Sequence, residues 1–220
     1  EAVGKAIRDS GIPREEIFLT TKLWNDDQRS GKVEEAIEAS LKRLGMDYVN
    51  LYLVHWPVKE TYVSVWKKME AVYKSGKAKA IGVSNYQTHH LADLLEEAEI
   101  IPAVNQIECY PYLSQAATIQ YCLERNIRPE AWGPLGAGKS DILTNPVITE
   151  IAKKRGLTPA QVVLGWNLER GVIVIPKSIH KERLTENLKC TDFELTDEDM
   201  TRISALNKNL RLGADPDHFN

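Results

Sequence analysis

The sequence has few cysteines, no long apolar run and no recognisable leader. Its three cysteines, Cys109, Cys122 and Cys190, are odd in number and lack metal-ligand spacing, which argues against a disulfide scaffold and against a cysteine-bound metal. No apolar stretch approaches the ~18 residues that a membrane helix needs, and no basic-then-apolar leader is present. We therefore expect reduced thiols in a cytoplasmic protein, with no metal and no membrane partner.

Charge of one sign is not in excess either. The 28 Lys and Arg residues stand against 31 Asp and Glu residues, a formal charge of −3. A protein dedicated to nucleic acid would carry a basic excess, so no nucleic-acid partner is expected. What is present is an ordinary globular composition, 43% hydrophobic and 27% charged. Without a low-complexity linker, the length predicts one domain over residues 1–220.

Short apolar or β-branched runs alternate with stretches of helical spacing. The runs that predict strands are 17–21, 48–54, 78–83, 103–105, 127–131 and 171–175. Between the first two, Val33, Ile37 and Leu41 recur every four residues and predict an amphipathic helix. This alternation indicates an α/β protein built from right-handed βαβ units with a parallel sheet.

Cap sequences locate the later helices. Residues 158–161 and 196–199 have the spacing of capping boxes, and Asn145 followed by proline predicts a further helix start. Residues 1–7 also have a helical pattern, yet no Ser, Thr, Asp or Asn precedes them as a cap. We therefore expect that the chain opens inside a helix and has lost its natural start.

Chemically useful side chains follow the predicted strands. In parallel α/β folds the carboxyl ends of the strands meet the loops that carry the chemistry. The residues found there are Lys22, Trp24, His55, Trp56, Ser84, Asn85, Gln106, Trp132, Lys177 and Ser178. Each alone has an ordinary structural explanation, such as a solvated lysine, a structural histidine or a turn. Their occurrence on the same rim of one sheet indicates a functional site.

The types of these side chains indicate a ligand. Ser84, Asn85 and Gln106 offer donors and acceptors to an amide, and Trp132 offers a flat face to an aromatic ring. Two cations and a hydroxyl near the predicted helix 181–188 favour a phosphate; they are Lys177, Ser178 and Arg183. An amide-bearing ring and a phosphate together describe a nicotinamide dinucleotide. No G-x-G-x-x-G turn is present, so Rossmann-type binding is not expected.

Longer motifs at the same positions match a known family. They are Thr21-Lys-Leu-Trp24, Leu51-Tyr-Leu-Val-His-Trp-Pro57, Gly82-Val-Ser-Asn85, Asn105-Gln-Ile-Glu-Cys109, Ala131-Trp-Gly-Pro-Leu-Gly136 and Ile175-Pro-Lys-Ser178, followed by Arg183, Glu186 and Asn187. With these motifs in order over essentially the whole chain, the sequence resembles the aldo-keto reductases. The loop 131–136 most resembles the microbial branch, which includes diketogluconate and methylglyoxal reductases.

The resemblance implies a fold, a cofactor and residue roles. The fold would be a (β/α)8 barrel of the TIM type, with about six of the eight strands in this chain. The cofactor would be NADPH. Its implied contacts are Ser84, Asn85 and Gln106 to the nicotinamide carboxamide, Trp132 to the ring, Gly133 and Leu135 to the pyrophosphate, Lys177, Ser178 and Arg183 to the 2′-phosphate, and Glu186 and Asn187 to the adenine. Trp24 and Trp56 would wall the substrate pocket.

The implied reaction is hydride transfer to an aldehyde or ketone, such as a small dicarbonyl or a keto-sugar. In the family a tyrosine protonates the carbonyl oxygen, an Asp–Lys pair tunes that tyrosine, and a histidine orients the carbonyl. Lys22 and His55 match the lysine and the histidine. A cation lowers the pKa of a neighbouring phenol, and a neutral imidazole can hydrogen-bond the carbonyl oxygen.

The family's Asp and Tyr fall before Glu1 in this alignment of motifs. We therefore expect an N-terminally incomplete barrel domain without the first two strands and the tyrosine, and none of the eight tyrosines present is assigned as the acid. The complete family fold would be a monomer. The open sheet edges of an incomplete barrel would favour self-association.

Two alternatives stay open. A chain that keeps the cofactor residues but lacks the acid would be an NADPH-binding, catalytically impaired remnant. Separately, residues 133–140 satisfy the pattern G-x-x-x-x-G-K-[ST] of a P-loop NTPase. A P-loop must run straight into a helix, whereas residues 141–146 intervene here before a new helix start.

Overall fold

The computed structural model describes residues 1–219, and within them the chain forms six strands. They are β1 (Thr20–Leu23), β2 (Val49–Val54), β3 (Ala78–Ser84), β4 (Val104–Glu108), β5 (Arg128–Trp132) and β6 (Ile173–Val174). All belong to one sheet in the order β1-β2-β3-β4-β5-β6. The pairs β1–β2, β2–β3 and β5–β6 are parallel. The predicted α/β class and the six predicted strands are therefore confirmed.

Helices connect these strands. The α-helices of the described chain are α1 (Ala2–Asp9), α2 (Asn25–Arg29), α3 (Val33–Leu44), α4 (Ser64–Lys74), α5 (Thr88–Glu97), α6 (Ala116–Leu123), α7 (Pro146–Arg155), α8 (Pro159–Glu169), α9 (Lys181–Leu188) and α10 (Asp197–Ser204). Short 3-10 helices occupy Arg14–Glu16, Gly136–Gly138, Ile142–Thr144 and Lys189–Thr191. Across residues 1–219, no helix has the length and apolar character that crossing a bilayer requires.

The later helices begin where their cap sequences predict. Thr158 Oγ1 accepts a hydrogen bond from Gln161 N at 3.2 Å, and the Gln161 side chain accepts one from Thr158 N at 3.0 Å, which together start α8. A capping box of the same kind starts α10. Asn145 Oδ1 accepts from Val147 N at 2.9 Å and starts α7. These bonds satisfy amide groups that a helix start otherwise leaves without partners.

Strand boundaries differ from the predicted ones in two places. β1 begins at Thr20 rather than at residue 17, because Phe18 is exposed and lies outside the ladder. The pairing continues to Leu23, so Lys22 lies within the strand instead of after it. β6 is only two residues long, because Gly171 has a φ of +74° and bends the chain before it. Gln106 lies inside β4 and does not follow it.

The described chain divides into two compact units. Residues 1–105 and 216–219 form the first unit, and residues 106–215 form the second. In the first unit, Leu51 and Leu53 of β2 pack with Val104 of β4 in a buried cluster. Gly82 of β3 passes close to these strands, since a Cβ atom there would lie 2.6 Å from the Val104 carbonyl oxygen and 2.8 Å from Leu53 Cδ2. Close strand packing therefore requires the glycine of the Gly-Val-Ser-Asn motif.

The core of the second unit lies between β5 and the helices α7 and α8. Ile148 and Ile151 of α7 and Val162 and Trp166 of α8 are fully buried in one cluster. The indole Nε1 of Trp166 donates to Ser204 Oγ at 3.0 Å, which satisfies its only polar group. Burial of each such large side chain stabilises the fold by about 1.5–3 kcal/mol.

The P-loop interpretation of residues 133–140 is wrong. A 3-10 turn over Gly136–Gly138 precedes Lys139, a second turn over Ile142–Thr144 follows it, and α7 does not begin until Pro146. Lys139 and Ser140 therefore do not run directly into an α-helix, as the corresponding residues of a P-loop do.

Candidate functional site

In the first unit, Lys22 is the last residue but one of β1, and His55 directly follows the neighbouring strand β2. Lys22 pairs in register with Leu53, and the His55 amide extends the ladder by donating to the Leu23 carbonyl at 3.2 Å. Burial and, second, the charge of Lys22 lower the pKa of His55 to about 4. The imidazole is therefore neutral near pH 7 and can hydrogen-bond a carbonyl oxygen without carrying a full charge.

Two tryptophan rings contact this histidine, and a third aromatic ring packs on one of them. Trp24 meets the His55 ring edge-on at 5.0 Å between centroids, and Trp56 stacks beside it at 6.3 Å. The ring of Phe219 packs against Trp56 at 4.3 Å. Trp24 is 46% exposed, whereas Trp56 is almost fully buried. The sequence analysis missed Phe219, because no local pattern brings a residue so distant in sequence onto the end of β2.

Ser84 and Asn85 end β3 in the same unit, and both are buried. Asn85 has a φ of +64°, a left-handed conformation that asparagine tolerates better than most residues. Its Nδ2 donates to the His55 carbonyl at 3.0 Å and to Ser84 Oγ at 3.2 Å. One amide group therefore links the residues that follow β2 and β3, which sets the backbone around His55.

The second unit contains a cavity of about 700 Å³. It brings together most of the residues predicted to contact a dinucleotide, namely Trp132, Gly133, Leu135, Lys177, Ser178, Arg183, Glu186 and Asn187. These residues come from the end of β5, the segment after β6 and the helix α9. The structure therefore gathers around one space residues that are up to 55 positions apart, from Trp132 to Asn187 (187 − 132).

Two cations and a hydroxyl belong to the lining of this cavity. Lys177 and Arg183 are exposed there, and Ser178 Oγ accepts from His180 N at 3.1 Å just before α9. The first amides of α9 add a partial positive charge of their own. Glu186 attaches α9 to the start of α8. Its carboxylate accepts a hydrogen bond from Thr158 Oγ1, and its backbone carbonyl accepts one from Gln161 Nε2 at 3.2 Å.

The lining also includes an indole and an uncrowded stretch of backbone. Trp132 closes β5, and Gly133 follows it with a φ of +61°. The atom nearest to a Cβ at Gly133 would be Ala137 Cβ at 3.7 Å, so the backbone there is not crowded. In the same unit, Gln106 is buried in β4 and its Nε2 donates to Glu130 Oε1 of β5, which holds the orientation of its amide.

A cluster of His89, His90 and Asp217 in the first unit has the residue types of a metal site. The Nδ1 atom of His90 accepts from Gln87 N at 3.2 Å in the cap of α5, so the proton of the neutral ring lies on Nε2. That Nε2 is 3.5 Å from Asp217 Oδ1. A nitrogen that carries a proton has no lone pair for a metal, so in this tautomer His90 offers no ligand atom to the cluster.

Comparisons with known proteins place the chain. The model of the aldo/keto reductase family matches residues 1–208. The glyoxal reductase of Bacillus subtilis (strain 168) is 50% identical over 219 residues, which cover 100% of this chain and 79% of that protein. A crystal structure of MGS-M4, an aldo-keto reductase enzyme from a Medee basin deep-sea metagenome library, superposes with a TM-score of 0.95. It is 45% identical and covers 99% of this chain and 81% of that one.

A third relative carries a ligand. The aldo-keto reductase AKR2E5 of the silkworm Bombyx mori, crystallised as a complex with NADPH, has a TM-score of 0.89 and 37% identity over 96% of this chain and 71% of its own. These matches confirm the predicted TIM-type α/β fold and the resemblance stated from the motifs. They lend no support to a non-catalytic remnant, since the relatives are named as reductases. The chain is an oxidoreductase that belongs to the aldo/keto reductase family.

Proposed function

We propose that this chain reduces small aldehydes and ketones, dicarbonyls and keto-sugars among them, with NADPH as its cofactor. The observation that carries the proposal is the cavity of the second unit, whose lining combines an indole with two cations. Relatives support it, because one is named a glyoxal reductase and another was crystallised with NADPH.

The residues of the cavity fit a phosphorylated dinucleotide. Lys177 and Arg183 supply positive charge, and Ser178 supplies a hydroxyl, beside the free amides of α9. We assign these groups to the 2′-phosphate, which distinguishes NADPH from NADH. The uncrowded backbone at Gly133, with Leu135 beyond it, is assigned to the pyrophosphate, and Glu186 and Asn187 of α9 are assigned to the adenine.

When bound, NADPH supplies the hydride that reduces the carbonyl carbon. Trp132 is proposed to stack on the nicotinamide ring and to determine which face of it is exposed. Gln106 in the second unit is proposed to hold the carboxamide, and Ser84 and Asn85 in the first unit have the same proposed role. Their burial and their hydrogen bonds support this assignment, because held polar groups select orientation with little loss of entropy.

His55 is proposed to orient the substrate carbonyl. Its pKa of about 4 keeps the ring neutral, so it can donate a hydrogen bond as negative charge develops on the oxygen. Lys22 is proposed to stabilise the proton donor through its charge. Trp24 and Trp56 are proposed to wall the substrate, and the contact of Phe219 with Trp56 extends that apolar surface.

Five tyrosines have a raised pKa, which does not suit the proton donor. A catalytic phenol needs a lowered pKa, whereas burial raises the pKa of Tyr52, Tyr62, Tyr86, Tyr110 and Tyr112. The hydroxyls of Tyr86 and Tyr110 are also committed to backbone carbonyls. We therefore assign none of these residues as the acid.

Titration with NADPH tests the proposal through tryptophan emission. We expect NADPH to quench the emission of the wild type, and Trp132→Phe to lose much of that quenching and to weaken binding by about tenfold, the size of one lost stacking contact. Trp66→Phe is the matched control, because Trp66 is buried in the first unit with its Nε1 bonded to the Ile100 carbonyl. Unchanged emission at saturating NADPH, together with no consumption of NADPH in the presence of glyoxal, would contradict the proposal.

A further inference from the structure

The segment after α10 is bound tightly to the end of β4. This segment, residues 207–213, is called the strap. The amides of Lys208 and Leu210 both donate to the Tyr112 carbonyl at 3.0 Å. The Tyr110 hydroxyl donates to the Leu210 carbonyl at 2.9 Å, and the Lys208 ammonium lies 3.9 Å from the centre of the Tyr112 ring. The strap therefore has a defined path across the second unit.

Glu108 determines where the strap ends. This residue closes β4 and is 1% exposed. Its Oε1 accepts from Leu212 N at 2.7 Å, and its Oε2 accepts from Gly213 N at 3.1 Å. A buried carboxylate needs such partners, and two successive backbone amides that meet its two oxygens have little freedom to move.

Gly213 in turn meets the indole of Trp132. A Cβ atom at position 213 would lie 2.5 Å from Cη2 and 3.3 Å from Cζ2 of that ring. Gly213 is not among the glycines with a positive φ, so its backbone conformation does not demand glycine. Glycine is required at this position because the Trp132 ring leaves no space for a Cβ atom. The benzo edge of Trp132 therefore packs directly on the strap backbone.

Trp132 also lines the cavity of the second unit. We propose that Glu108 and Gly213 are positioning residues. They hold the strap backbone against the benzo edge of Trp132 and so set the position of the indole in the cavity. This inference rests on the proposed function, since it assigns to Trp132 the stacking contact with the nicotinamide ring. Lys177 and Arg183 are contributed by the segment before α9 and by α9 itself, and the strap bonds do not involve them.

The inference predicts that the strap affects one end of the ligand only. NADPH spans the whole cavity in the proposed function, whereas 2′,5′-ADP offers only the adenine and the 2′-phosphate end. We expect Gly213→Ala to displace the indole and to weaken NADPH binding by about tenfold, while 2′,5′-ADP binding stays within about twofold of wild type. Isothermal titration calorimetry measures both affinities on the same preparations.

Two further variants complete the test. Glu108→Gln keeps the side-chain shape but turns an NH2 group towards one of the two amides, so the same selective loss of NADPH affinity is expected without a steric change. It also serves if Gly213→Ala does not fold. Gly156→Ala is the matched control, because Gly156 ends α7 with a φ of +67° and a Cβ there would meet no atom within 4 Å. It should lower thermal stability and leave both affinities unchanged.

Two outcomes would overturn the inference, and a third would overturn the proposed function. NADPH affinity that stays within about twofold of wild type in both Gly213→Ala and Glu108→Gln would overturn the inference. An equal loss of affinity for NADPH and for 2′,5′-ADP would also overturn it, because that pattern indicates general damage to the unit. If the wild type binds neither ligand, the proposed function itself is wrong. In a Trp132→Phe background, Gly213→Ala should lose most of its effect, since phenylalanine has no Cη2 atom to displace.

Discussion

The two units hold their chemical groups in different ways. In the first unit, Ser84 and Asn85 are buried at the end of a paired strand, and Asn85 bonds the backbone of His55. In the second unit, Lys177 and Arg183 are exposed, after a two-residue strand and within the first turn of a helix. Strand pairing fixes the position of Ser84 and Asn85 before any ligand binds, which suits residues that must orient a ligand. Exposed cations instead select a ligand by its charge.

This contrast predicts that a change at His55 in the first unit affects turnover, and that a change at the exposed cations of the second unit affects affinity. The largest effect should come from His55→Ala, which removes the proposed hydrogen bond to the carbonyl oxygen. We expect kcat to fall roughly 10²–10³-fold, with the Kd for NADPH unchanged. Steady-state oxidation of NADPH with glyoxal, beside a binding titration, measures the two quantities. His89→Ala, which changes an exposed histidine of the same unit, is the control, and an equal loss of kcat there would contradict the assignment.

The pH dependence of His55 sharpens the same point. Because burial and the Lys22 charge lower its pKa to about 4, His55 takes up its proton only as pH falls towards that value. The unfolded chain takes it up near the ordinary value of about 6.5, so stability should decline as pH falls from about 6.5 towards 4. Lys22→Met should raise the pKa of His55, which NMR titration measures. A pKa near the ordinary value in the wild type would show that the ring is not shielded as described.

An intermediate effect is expected from Arg183→Met in the second unit. Loss of one charge-assisted contact should weaken NADPH binding by roughly tenfold and leave NADH binding unchanged, since NADH has no 2′-phosphate. The wild-type preference for NADPH should also shrink as salt rises. Lys181→Met is the matched control, because Lys181 starts α9 without lining the cavity. Equal losses for both nucleotides in Arg183→Met would place this residue elsewhere than at the 2′-phosphate.

The smallest effect separates two helix caps. Thr158→Ala and Thr196→Ala should each cost about 1 kcal/mol of stability, since each residue caps a helix of the second unit. Only Thr158 also bonds Glu186 of α9. NADPH affinity should therefore fall in Thr158→Ala by about threefold and stay unchanged in Thr196→Ala. Thermal melts and binding titrations check this, and identical affinities would show that α9 does not depend on this contact.

Much of the fold could be predicted because its signals are local. The six apolar runs, the capping boxes at Thr158 and Thr196 and the start of α7 at Asn145 are each written within a few residues. The short α2 was not predicted, because its sequence, Asn25–Arg29, is polar throughout and has no apolar period. The exact ends of the strands could not be predicted either. Lys22 and Gln106 were expected to follow their strands, and they lie within them.

The candidate site divides along the same line. The predicted strand ends identified Trp132, Lys177 and Ser178 of the second unit's cavity. Its further residues Gly133, Leu135, Glu186 and Asn187 were expected from the family resemblance alone. The contact of Phe219 with Trp56 and the bonds from Glu108 to the strap were missed. Glu108 and Leu212 are 104 positions apart, and no periodicity in a single sequence reports such a pairing.

Gly82 has a consequence for how this scaffold can change. With the Val104 oxygen and the Leu53 methyl so near, even one added carbon would push neighbouring strands apart. Gly82 therefore cannot be replaced without disturbing the sheet, whereas the loops that leave the strand ends can lengthen, shorten or be exchanged without disturbing it. New substrates are therefore more readily acquired by changing the loops than by changing this part of the strands.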